Sequence, residues 1–140
     1  MHIRETGLVV ILALGVVSAC GYGSGGGGLG GGTVTVSMNA INGSGVSGTA
    51  RIDDHGNAST VTVELQNVPP GAHAGHVHLG SCAQQGVIVF GLNLITPDSA
   101  GNGSAITSGV SDVFIGPGYS IEYHMALDPP GDPIACADIP

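Results

Sequence analysis

Beyond residue 33, apolar and polar residues alternate with a period of two. Val34, Val36 and Met38 alternate with Thr33, Thr35 and Ser37; Val61, Val63 and Leu65 alternate with Thr60, Thr62 and Glu64. Successive side chains of a strand leave opposite faces, so each run buries one face and wets the other. The same reading predicts strands over Val46–Ile52, Ala74–Leu79, Val87–Leu94, Ser104–Thr107, Val110–Ile115, Tyr119–Leu127 and Ile134–Ala137. Turn residues separate them: Asn42-Gly43, Asp54-His55-Gly56-Asn57, Pro69-Pro70-Gly71, Pro97-Asp98, Gly101-Asn102-Gly103, Gly116-Pro117-Gly118 and Pro129-Pro130-Gly131. Short strands at near-regular spacing with Gly- and Pro-rich turns predict an all-β Greek-key sandwich or barrel. The pattern contains no amphipathic helix of useful length and no internal repeat.

The amino terminus reads differently. Met1-His2-Ile3-Arg4 is a short basic lead, and Gly7 to Ala19 carries no charge. Thirteen helical residues rise about 20 Å, short of a hydrocarbon core of about 30 Å, so the run fits the apolar stretch of a signal peptide. It ends Val17-Ser18-Ala19-Cys20, which resembles the lipobox of bacterial lipoproteins. That resemblance implies a signal over residues 1–19, lipidation of Cys20, and export to the cell envelope with the lipid as the membrane anchor. An ordinary secretory signal ending at a cysteine is the alternative. Nine of the twelve residues from Gly21 to Gly32 are glycine, so residues 20–32 read as a lipidated cysteine and a flexible tether, and residues 33–140 as the folded domain.

Composition narrows the function. Only 9% of the 140 residues are charged, and the formal charge is −8. Arg51 is the one cation after the signal, against nine carboxylates. Displacing phosphate counterions needs cations, which excludes a nucleic-acid binder and gives no attraction to an anionic membrane surface. Cys82 and Cys136 remain once Cys20 is set aside. On the export side disulfides persist, and the two are expected to pair; free thiols or a thiolate metal site are the alternatives, disfavoured by the absence of a CxxC pair.

Four of the six histidines stand out. His76 and His78 are two apart on an expected strand and leave one face, with Val77 and Leu79 on the other. On the later strand Ser120, Glu122, His124 and Ala126 share a face opposite Tyr119, Ile121, Tyr123 and Met125. The three imidazoles thus point away from the apolar sides of their strands, toward the outer wall of the barrel. Imidazole suits Cu, Zn, Ni and Fe(II). Exposed polar strand residues are the bland alternative. Glu122 reads as a neighbour of His124 or, more simply, as an acidic surface residue, and His55 as a solvated turn residue.

The order of the motifs carries a resemblance. Val68-Pro69-Pro70-Gly71-Ala72-His73-Ala74-Gly75-His76-Val77-His78, then Gly80-Ser81-Cys82, resembles the copper-strand signature of copper/zinc superoxide dismutases, PG-x-HGFH-V-H followed by a glycine and a cysteine. Ile121-Glu122-Tyr123-His124 resembles that family's later single-histidine strand, and Ile134-Ala135-Cys136-Ala137-Asp138-Ile139 its carboxyl-terminal Ala-Cys-Gly strand. The resemblance implies a Greek-key β-sandwich or barrel of about eight strands, immunoglobulin-like and superoxide dismutase-like. It makes His76, His78 and His124 ligands of one copper ion. His73 becomes a supporting histidine that hydrogen-bonds across the Greek-key connection, and Cys82–Cys136 the disulfide. The shortened pattern is also similar to small exported bacterial proteins related to CHRD-type domains.

Two departures bear on activity. No histidine lies between His78 and His124, so no zinc site is expected. Where the family places an arginine three residues before its last cysteine, this chain has Pro133. Three readings follow: a tethered copper-only dismutase acting on superoxide, a copper-binding module for buffering or delivery, and a structural domain with a vestigial site.

Overall fold

A computed structural model describes residues 30–127 and 131–140. The expected signal over residues 1–19, the expected lipidation site Cys20 and most of the expected tether lie outside the described residues. Among the described residues eight strands form: β1 Thr33–Ala40, β2 Ser47–Asp54, β3 Ala58–Gln66, β4 His73–Ser81, β5 Gln84–Ile95, β6 Gly103–Ser111, β7 Tyr119–His124 and β8 Pro133–Asp138. Their order, β5-β4-β7-β8-β1-β2-β3-β6, places sequence-distant strands side by side, as a Greek key does. All the pairings are antiparallel. The two halves join where Asn39 and Ala40 of β1 pair with Cys136 and Ala135 of β8. At the other edge Asn93 on β5 donates to Ile106 O on β6 at 2.6 Å, so the barrel is nearly closed.

Alternation fills the inside. Val61, Val63 and Leu65 of β3, Ala50 and Ile52 of β2, Val77 of β4, and Ile121 and Tyr123 of β7 are all buried in one core. Removing such side chains from water stabilises by roughly 1.5–3 kcal/mol for each large aliphatic residue. Burial pushes the Tyr123 phenol well above its ordinary value, and its hydroxyl donates to Asn93 O at 2.8 Å. Gly75 makes room for that ring: a Cβ there would collide with it. The dismutase signature has Phe at this position of the copper strand; here the aromatic ring comes from β7.

The elements differ from the expected ones in three places. Ser104–Thr107 and the first two residues of the expected Val110–Ile115 lie in one strand, β6, and Asp112–Phe114 form a 3-10 turn after it. Gly109, with φ 77°, absorbs an irregularity in the pairing between Ser59 and Val61 of β3, so the glycine marks a bulge and not a strand end. β7 ends at His124 rather than Leu127, because the chain turns there and Met125 N bonds Asp132 O. Met125 therefore escapes the alternation and is exposed rather than inward. Leu79 is also exposed, since pairing irregularities on either side of His78 take the end of β4 out of register with the core face.

Candidate metal centre

β4 and β7 are adjacent, with His76 opposite Glu122 and His78 opposite Ser120. Period-two geometry then sets His76 and His78 on β4, and Ser120, Glu122 and His124 on β7, on one shared face. That face is the outer side of the sheet, yet it is not wet. Glu122 and Ser120 are wholly buried, His78 and His124 are nearly so, and His76 is half-buried. The expectation that Glu122 is an acidic surface residue is thus corrected. The cover comes from two segments outside β7: the start of β5, through Gln85 and Gly86, and the residues entering β8, through Gly131.

The cover also orients the rings. His78 Nδ1 lies 3.1 Å from Gly86 O, and His124 Nδ1 lies 2.9 Å from Gly131 O. A carbonyl only accepts, so Nδ1–H donates in each ring and the Nε2 lone pair is turned inward. His73 is buried, with Nδ1 2.9 Å from His124 O and Nε2 2.8 Å from Pro69 O; it ties the β3–β4 crossing to β7.

One donor atom from each of His76, His78 and His124 lies within 4.8 Å of the other two. His76 Nδ1, His78 Nε2 and His124 Nε2 are buried and have no hydrogen-bond partner. Orphaned buried polar atoms are rare because each costs desolvation energy, so three of them converging calls for a shared partner. An ion with bonds of about 2 Å spans about 4 Å, so gripping one draws the rings inward by less than an ångström. Burial, then the fields of His124 and His78, hold the His76 imidazole below its ordinary value, which keeps its lone pair free. The donor set fits a metal that prefers imidazole nitrogen.

Glu122 is the feature that sequence reasoning underrated. Its Oε2 lies 3.3 Å from His78 Nε2 and 3.4 Å from His124 Nε2, and its Oε1 accepts from the Gln85 side-chain amide. Its place on the His124 face was the available signal; its burial depends on Gln85, 37 residues away. Pro133, at the position where the dismutase pattern has arginine, lies opposite His124, just past a shift in the β7–β8 register. Among the described residues the only Lys or Arg is Arg51, exposed on β2 and paired with Asp53 at 2.6 Å. Cys82 and Cys136 form a disulfide with Cα atoms 5.9 Å apart, which ties the β4–β5 turn to β8 beside this face. His55 is an exposed turn residue near Thr60.

No family model matches the chain, and no curated protein matches it. Among solved structures it is similar to the Cu/Zn superoxide dismutase from Brucella abortus, with 20% sequence identity and a TM-score of 0.56. The likeness covers 77% of this chain and 99% of that one. The eight-stranded order, the antiparallel pairing and this likeness together establish that the chain has a superoxide dismutase-like fold.

Proposed function

We propose that the protein is an exported, lipid-anchored domain that holds one copper ion on His76, His78 and His124. The observation that carries this reading is the convergence of three partnerless ring nitrogens, two of them aimed by carbonyls behind their rings. The donor chemistry admits several metals; copper is chosen on the likeness to a solved protein named as a copper enzyme. Bound copper would supply one-electron exchange between its two oxidation states. The chain's own residues do the rest. Gly86 O and Gly131 O fix two rings, His73 anchors the β7 backbone, and half-buried His76 leaves the approach from solvent. Titration with copper, followed by electron paramagnetic resonance, is expected to give one saturable Cu(II) signal per chain with nitrogen hyperfine structure. The signal is expected to vanish in His76→Ala combined with His78→Ala. No saturable signal, or one unchanged in that variant, overturns the proposal.

Dismutation of superoxide is the second reading, favoured by the name of the solved relative. Pro133 beside His124, a buried carboxylate at the site and a formal charge of −8 weigh against it, since a small anion is repelled rather than steered. If it is an enzyme, the copper-loaded protein retains activity with a chelator present; loss of that activity leaves binding alone. The anchor rests on Val17-Ser18-Ala19-Cys20. Cys20→Ala is expected to release the protein from membranes, and a variant that stays membrane-bound contradicts the lipid.

A further inference from the structure

We infer that Glu122 is a fourth donor to the metal, making an N3O set that favours a divalent ion over Cu(I). The inference rests on the three-histidine reading and adds to it a residue that the dismutase pattern does not supply. Glu122 Oε2 is buried and partnerless, like the three ring nitrogens, and it sits on the same face between two of them. Its separations of 3.3 and 3.4 Å from His78 Nε2 and His124 Nε2 are those of donors that can share one ion with these two rings, while the group whose atoms all lie within 4.8 Å of one another is the three histidines. Neither contact is a hydrogen bond.

Charge gives the second argument. A wholly buried carboxylate needs a compensating charge; among the described residues the His78 and His124 imidazoles are in reach and carry charge only when protonated, and no guanidinium or ammonium approaches it. Gln85 satisfies Oε1 but supplies no charge. A dication on the three nitrogens supplies two positive charges where Cu(I) supplies one. Coulomb attraction to the carboxylate is therefore larger for Cu(II) or Zn(II) than for Cu(I). Gln85 acts as a positioning residue, turning Oε2 toward the rings.

Glu122→Gln keeps the shape and an acceptor for the Gln85 amide while removing the charge. Competition titrations with chromophoric chelators are expected to show Cu(II) and Zn(II) affinities about 10- to 100-fold weaker in this variant, with Cu(I) affinity reduced much less. The Cu(II) hyperfine splitting is expected to shift. Gln85→Ala, which leaves Glu122 in place, is expected to weaken Cu(II) binding in the same direction by less, and it decides the matter if Glu122→Gln fails to fold. Wild-type protein that binds Cu(II) tightly, with affinity and spectrum unchanged in the variants, overturns the role of Glu122 alone. Wild-type protein with no saturable copper binding overturns the three-histidine reading, and this inference with it.

Discussion

Glu64 on β3 and Glu122 on β7 both stand on the side of their strand turned away from the core, yet one is exposed and the other wholly buried. β3 keeps a clean alternation, its outer residues running from half-buried to exposed. β7 has nearly every residue buried, because the start of β5 and the residues entering β8 close over it. Alternation therefore tells which side a residue leaves, and not whether that side is wet. Where the second side is dry, polar side chains need partners, and that is where the histidines and Glu122 gather.

Four experiments sharpen this contrast. The largest expected effect comes from Cys82→Ser with Cys136→Ser. The disulfide closes a loop across a sequence separation of 54 residues, and in the chain-entropy account its loss costs about 4 kcal/mol. Denaturant titration is expected to show that loss, and amide exchange along β7 is expected to rise more than along β3. Equal rises in both strands would mean that the disulfide does not serve the covered face in particular.

Gly75→Ala comes next. The added methyl meets the Tyr123 ring, which is held from behind by its bond to Asn93 O. Overpacking of this kind costs about 1–3 kcal/mol, read as a lower melting temperature. A melting temperature equal to wild type would show that the ring has somewhere else to go.

Acidification of the metal-free protein has a smaller effect with a defined sign. The folded His76 imidazole is held below 6.5, its ordinary value, chiefly by burial. As pH falls below that value, the unfolded chain takes up a proton that the folded site resists. Stability from this group is therefore complete above pH 6.5 and is lost as pH falls through the folded value. Thermal melts are expected to be flat above that pH and to decline below it. A melting temperature that rises on acidification contradicts this environment for His76.

The smallest expected effect is Glu64→Gln, within about 0.5 kcal/mol and without change in metal affinity. Set beside Glu122→Gln, it isolates burial as the variable, since the residue type and its outward placement are the same. A change in metal affinity at Glu64 would show that general surface charge, and not the buried carboxylate, controls binding.

The strands and the paired cysteines were legible because their signals are local or compositional: period-two runs, Gly and Pro turns, and two cysteines left over in a chain expected to be exported. The face shared by His76, His78 and His124 was legible for the same reason. What escaped depends on contacts made outside the strand in question. Glu122 is buried by Gln85 and its neighbours, and no window around residue 122 contains that fact. Met125 follows from where β7 stops, which Asp132 decides through its carbonyl. Gly109 reads as a break when seen alone and as a bulge only when the neighbouring β3 is in place.

The most direct test is a crystal of the protein grown with Cu(II), with anomalous scattering recorded across the copper absorption edge. A single peak is expected at about 2 Å from His76 Nδ1, His78 Nε2 and His124 Nε2. Copper found elsewhere on the molecule, with those three nitrogens left apart, would contradict the account.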